Sequence, residues 1–196
     1  MLPLSTAHMI KDFKIKKELD PHFFLNSFTT LAHLIHADAG KAYLFNNKLA
    51  QVYKYFLLNK ERELVALEDE LQFIEDYFFL LRVRHDDKLN LITEVLQQLA
   101  KTTRIVPFSL QFLVDHAIRH NQFSAVKPLN LLLKINDDWI EMTNSNSEPI
   151  TINNEEEIGL RDLNDRYQKN GAKEIIIQQN GREFTVKIPV IHQHKS

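Results

Sequence analysis

Two stretches of the chain bring together side chains that can do chemistry. In the first, Asp20-Pro21-His22-Phe23-Phe24-Leu25-Asn26-Ser27, a histidine follows a proline near the start of an apolar, helix-like run. A neutral imidazole, with a reference pKa of about 6.5, keeps a free nitrogen lone pair at neutral pH and can attack phosphorus without a strong base. Read locally, the same residues also make a helix start, with Asp20 as N-cap, Pro21 as the first helical residue and His22 in the first turn. The second stretch, Asp115-His116-Ala117-Ile118-Arg119-His120, puts an acid, two imidazoles and a guanidinium on one side of a helix. His116 and His120 have the i, i+4 spacing that can hold a transition metal, but no third ligand is evident. Arg119 and His120 could contact phosphate or form a solvated face. His33 with His36, and His192 with His194, are weaker metal pairs still.

Helices and strands must position these groups. Ile10, Phe13, Phe24, Phe28, Leu31 and Ile35 fall broadly at helical spacing, with a break at His36-Ala37-Asp38-Ala39-Gly40. A second helix is expected over 41–59, with Leu49, Val52, Tyr53 and Phe56 on one face. A third runs from about Leu67 to Val83, and Glu68, Asp69 and Glu70 in its first turn suit the helix dipole. Residues 88–95 partly alternate in the period of a strand. Pro107 opens the clearest helix, in which Leu110, Leu113, Val114, Ala117 and Ile118 make a core-facing stripe. Leu129–Ile135 and Trp139–Thr143 read as a hairpin turned by Asn136-Asp137-Asp138. Residues 144–157 read as a polar loop and 158–168 as a helix. Asn180-Gly181 then joins two β-rich runs, the strongest short hairpin signal.

The expected fold class is α+β: a helical region over 1–86, then a portion of mostly antiparallel strands with helices over 87–196. A chain of 196 residues, 44% hydrophobic and 26% charged, suits one large or two small globular domains. A formal charge of −2 gives no electrostatic footprint for nucleic acid. The absence of cysteine excludes disulfides, zinc–thiolate sites and thiol catalysis. The longest apolar runs, such as Tyr77-Phe78-Phe79-Leu80-Leu81, fall far short of the ~20 residues of a membrane span.

Four motifs in order resemble the LytS/YehU type of sensor histidine kinase, the form associated with LytTR response regulators. Asp20-Pro-His-Phe-Phe-Leu-Asn26-Ser is similar to the family's phosphoacceptor motif, N-P-H-F-L-F-N-S. Val65-Ala-Leu-Glu68-Asp-Glu70-Leu, with Tyr77 and Arg84, resembles its acidic helix. Val106-Pro-Phe-Ser-Leu-Gln111-Phe-Leu-Val-Asp115-His116-Ala-Ile-Arg119-His120-Asn121 resembles its ATP-binding helix, I-P-P-x-x-L-Q-x-L-V-E-N-A-I-K-H. Gly159-Leu160-Arg161-Asp162-Leu163-Asn164-Asp165-Arg166-Tyr167 resembles G-L-x-N-x-x-x-R-Y, with Asp162 in place of Asn. The likeness runs from about residue 16 to 189.

The resemblance implies a helical dimerisation and phosphoacceptor region followed by a Bergerat-type (GHKL) ATP-binding sandwich. It implies His22 as phosphoacceptor and Asp115 as the catalytic acidic residue. His116, Arg119, His120, Asn144, Gly159 and Leu160 take nucleotide-binding positions, with ATP and Mg²⁺ as the expected cofactors. His116 stands where the family has its magnesium-coordinating Asn, Asn144 where many kinases have an adenine-binding Asp, and Glu155-Glu156-Glu157 where many have G-x-G. The implied partners are a LytTR-type response regulator and a second copy of the chain, with no nucleic acid. Family members are often tethered to the inner membrane by an N-terminal sensor; the expectation here is a cytoplasmic chain without a membrane segment. Two other roles fit the substituted positions: a dimeric binding module, or a phosphorelay protein that passes phosphate through His22 without ATP.

Overall fold

A computed structural model describes residues 21–95, 97–145, 154–180 and 183–192. Side chains at 21, 97–99 and 154–158 lie outside that description, as do Ile10, Phe13, Asp20, Gly181 and His194 from the sequence reading. The chain forms two compact units that divide between Lys60 and Glu61. The sequence reading draws its line at 86/87 instead, and so groups the third helix with the first two.

The first unit holds helices α1 (Pro21–Ala37) and α2 (Ala39–Asn59). Asp38 separates them in an extended conformation, and its carboxylate accepts from the Lys41 N–H at 2.9 Å, an N-cap that starts α2. Phe23 and Leu34 of α1 are buried, as are Phe45, Leu49, Val52 and Phe56 of α2. Phe24 meets Tyr53 edge-on with ring centroids 5.2 Å apart, so the two helices pack as a hairpin.

The second unit contains α3 (Leu67–Arg84), α4 (Gln97–Thr102), α5 (Ser109–His120) and α6 (Asn154–Lys169). Its main sheet is built from β2 (Leu89–Val95), β4 (Leu129–Ile135), β5 (Trp139–Ser145), β6 (Ile176–Asn180) and β7 (Glu183–Pro189). Their spatial order is β2-β4-β5-β7-β6. A three-stranded sheet joins β1 (Val65–Ala66), β3 (Thr103–Ile105) and β8 (Ile191–His192) in the order β1-β3-β8. On the main sheet, Leu131, Leu133, Ile140, Met142, Val186 and Ile188 are buried on one face, and α5 packs against β4 and β5. The other face is more open. There Lys134 pairs with Glu94 at 3.2 Å, Lys187 with Glu141 at 3.3 Å, and the Thr143 and Thr185 hydroxyls lie 2.9 Å apart. One covered face and one polar face is the two-layer solution for a sheet of this kind.

The α+β class expected from the sequence is present. The β4–β5 and β6–β7 hairpins are in place, the latter with Asn180 opposite Glu183. β2 departs from the antiparallel expectation: it runs parallel to β4, Leu89 opposite Leu129, because α4, β3 and α5 take up the chain between them. The helix read from Pro107 starts at Ser109, since Phe108 adopts a left-handed backbone (φ 67°). Residues 144–157 are not all loop. Asn144 and Ser145 continue β5, and α6 begins at Asn154, so Glu155, Glu156 and Glu157 lie in its first turns. Asn followed by acidic residues is a composition that favours a helix start.

Candidate functional site

His22 sits in the first described turn of α1 and is exposed. Behind it Phe23 is buried, and the Ser27 hydroxyl donates to the Phe23 carbonyl at 2.7 Å within the same helix. The remaining candidate residues all belong to the second unit and gather around α5.

The start of α5 is held by a carboxylate from α3. Glu70 is fully buried; one oxygen accepts from the Phe108 N–H and the other from the Leu110 N–H, each at 3.1 Å. These are two of the donors a helix leaves unsatisfied at its first turn, and the negative charge sits at the favourable end of the dipole. The same end is tied to α6. The Ser109 hydroxyl lies 3.0 Å from the Tyr167 hydroxyl and bonds the Val106 carbonyl, and an Arg166 N–H donates to the Pro107 carbonyl at 3.4 Å. Burial lowers the pKa of Arg166, while the charge of Glu70 works in the opposite direction. The acidic-helix motif and the Arg-Tyr motif therefore converge on the first turn of the third motif.

Further along α5, Asp115 is gripped from two sides. The Tyr77 hydroxyl donates to one carboxylate oxygen at 2.7 Å, and the Gln111 amide reaches the other at 3.4 Å. Burial pushes the Asp115 carboxyl up to about 6, although the hydrogen bonds from Tyr77 and Gln111 and the charges of Arg119 and Arg84 pull it back down. Tyr77 is buried and its pKa is raised well above the ordinary value, so it stays a donor.

His116 turns inward. It is 4% exposed, and its ring stacks on Phe184 of β7 with centroids 5.3 Å apart and planes 14° from parallel. The His120 ring lies 4.4 Å away and that of Phe112 6.2 Å away. Phe184 is in turn the register partner of Asn144 on β5. Asn144 is 2% exposed, and its Nδ2 has no hydrogen-bond partner among the described residues. Gly159 of α6 lies close against α5: a Cβ there would stand 2.9 Å from Cε2 of Phe112. The next residue, Leu160, is buried, whereas Arg119 faces solvent.

The structure thus brings Asp115, His116, His120, Asn144, Gly159 and Leu160 into one neighbourhood of the second unit, with His22 on the first. No cluster of three potential metal ligands occurs among the described residues. Sequence reading gave Glu70 only a place in the acidic first turn of α3, not its bonds to α5, and did not pair Tyr77 with Asp115. A signal was available for both. Leu67, Glu70, Ile74, Tyr77 and Leu81 share one face of α3, and an acid inside an otherwise apolar stripe must find a buried partner.

Comparisons with known proteins find relatives of part of the chain. A family model described as histidine kinase matches residues 13–89. The sensor protein LytS of Staphylococcus saprophyticus is 32% identical over 115 residues, which is 57% of this chain and 19% of that relative. LytS of Bacillus anthracis is 31% identical over 117 residues, 58% of this chain and 20% of the relative. LytS of Streptococcus mutans is 29% identical over 123 residues, 63% of this chain and 21% of the relative. The matched region is about a fifth of the length of these curated relatives. Taken with the motifs and the α+β architecture that carries them, these matches show that the chain is similar to the LytS-type sensor histidine kinases over part of its length.

Proposed function

We propose that the chain is a core segment of a two-component sensor kinase, in which His22 receives the γ-phosphoryl group of ATP and a response-regulator aspartate then takes it. The observation that carries this reading is the exposed His22 on a packed helical hairpin, inside a stretch that matches the histidine kinase model. An imidazole nitrogen would form the N–P bond as the bond from the γ-phosphorus to the bridging oxygen breaks. ADP leaves with that oxygen, and the ring proton goes to solvent.

The residues present fit a nucleotide base. Asn144 offers a buried amide donor with no protein partner among the described residues, at the position where the family reads adenine. Exposed Arg119 and half-buried His120 at the C-terminal end of α5 supply positive or protonatable groups toward phosphate. Asp115, held by Tyr77 and Gln111, supplies the carboxylate of the motif. Magnesium does not fit at His116. The cation prefers oxygen ligands, and this ring is buried against Phe184, so no step is routed through a metal held there.

The first unit also supports a homodimer. Leu25, Phe28 and Ile35 of α1, and Tyr43, Leu44, Tyr53, Leu57 and Leu58 of α2, are exposed. A two-helix hairpin with that much apolar surface is completed by a second copy as a four-helix bundle. The partner regulator is proposed to be of the LytTR type. No helix among the described residues is long and apolar enough to cross a membrane, and we place the chain's action in the cytoplasm.

Incubation with γ-labelled ATP, with and without Mg²⁺, tests the reading. Acid-labile label that disappears in His22→Gln is expected. No label, together with no nucleotide-induced thermal shift, would overturn it.

A further inference from the structure

From the unpartnered amide of Asn144 we infer that the nucleotide site accepts 6-oxopurine triphosphates, GTP and ITP, as well as ATP. The inference rests on the nucleotide reading of this site and narrows its substrate class.

A carboxylate at this position only accepts hydrogen bonds, so it welcomes the N6 amine of adenine and repels the O6 of guanine. A carboxamide carries one acceptor and two donors on a planar fork. In one orientation its oxygen accepts a hydrogen bond from adenine N6–H while its nitrogen donates to N1. Turned over, its nitrogen donates to guanine O6 and its oxygen accepts from N1–H. Both purines present the adjacent donor and acceptor that such a fork matches.

Discrimination would return if the protein pinned the amide in one orientation. A neighbouring carbonyl bonded to Nδ2 would do that, and the described residues supply none. Asn144 lies on β5 between Leu131 of β4 and Phe184 of β7, a hydrocarbon and a phenyl ring that cannot fix a carboxamide by hydrogen bonding. The donor is also buried, and a buried unmatched donor favours a ligand acceptor. Adenine N1 and guanine O6 each provide one.

The test is calorimetric titration of the full chain with ATP, GTP and ITP. Dissociation constants for ATP and GTP within about fivefold of each other are expected, a difference of about 1 kcal/mol. Asn144→Asp should then weaken GTP and ITP at least tenfold while ATP changes by a few-fold, with far-UV circular dichroism to check that the variant folds. ATP bound and GTP more than twentyfold weaker in the unaltered chain overturns the inference and leaves the kinase reading standing. Equal loss of all three nucleotides in a folded Asn144→Asp also overturns it. Binding of none of them removes both this inference and the nucleotide reading beneath it. The comparison of ATP with GTP uses the unaltered chain, and so decides the matter even where the variant fails to fold.

Discussion

Removing the Glu70 carboxylate should be among the most damaging single changes in the second unit. Glu70→Ala deletes both acceptors for the Phe108 and Leu110 N–H groups and leaves them buried at the start of α5. Each orphaned donor costs about 1–3 kcal/mol, and the lost charge at the helix end adds up to about 2 kcal/mol in a buried setting. Phe108, held in a left-handed backbone, also loses the bond that helps fix it there. Together these terms span about 2–8 kcal/mol, a range that brackets the about 3–5 kcal/mol expected when one partner leaves a buried charged network. Glu70→Gln keeps one carbonyl oxygen but turns an NH₂ toward the other N–H, and should cost about half as much. The chain has one tryptophan, Trp139 on β5, so its fluorescence during denaturant unfolding reports on this unit and not on the helical hairpin. A Glu70→Ala variant within about 1 kcal/mol of the parent, the range of ordinary mild substitutions, would refute the reasoning. So would Gln proving as harmful as Ala.

Other perturbations follow from the same contacts. Asp115 has a folded pKa of about 6 against an ordinary value of 3.8, so its ionised form is disfavoured by folding. Its contribution is intact below the unfolded pKa and is lost as pH rises through 6. The stability difference between Asp115→Asn and the parent should therefore grow in the variant's favour by about 2 kcal/mol from pH 4 to 7, and denaturation curves showing a constant difference would contradict this. Gly159→Ala should destabilise although alanine is the better helix former by about 1 kcal/mol, because its Cβ meets Phe112; Phe112→Leu should reverse the sign in thermal melts. His116→Asn restores a carboxamide oxygen at the family's metal position and should tighten ATP binding several-fold in Mg²⁺ but not in EDTA. Equal affinities in both media would show that this position does not face the phosphates.

Local patterns made most of the elements legible. The stripe Leu110, Leu113, Val114, Ala117 revealed α5, and the Asn-Asp-Asp turn revealed the β4–β5 hairpin. The start of α5 was misread by two residues because Pro107 marks a helix start by local rules, whereas Glu70, 38 residues upstream of Phe108, decides where the first donors are satisfied. Pairing of β2 with β4 was likewise out of reach of local reading, since a parallel ladder depends on everything folded between its strands. α4, β1, β3 and β8 are too short to show a period. At the candidate site, residue identities were legible through motif likeness, but their surroundings were not. His116 reads as an open position on a helix, and only the stack on Phe184 reveals it as part of the packed interior.

The small sheet has a consequence for synthesis. β3 takes Val65 and Ala66 on one side and Ile191 and His192 on the other. A ribosome makes these two flanks more than a hundred residues apart, so the last strand of this sheet can add only after almost the whole second unit has emerged. Until then one edge of β3 lacks its strand. Folding of this unit during translation should accordingly remain incomplete and open to chaperones until the final strand arrives.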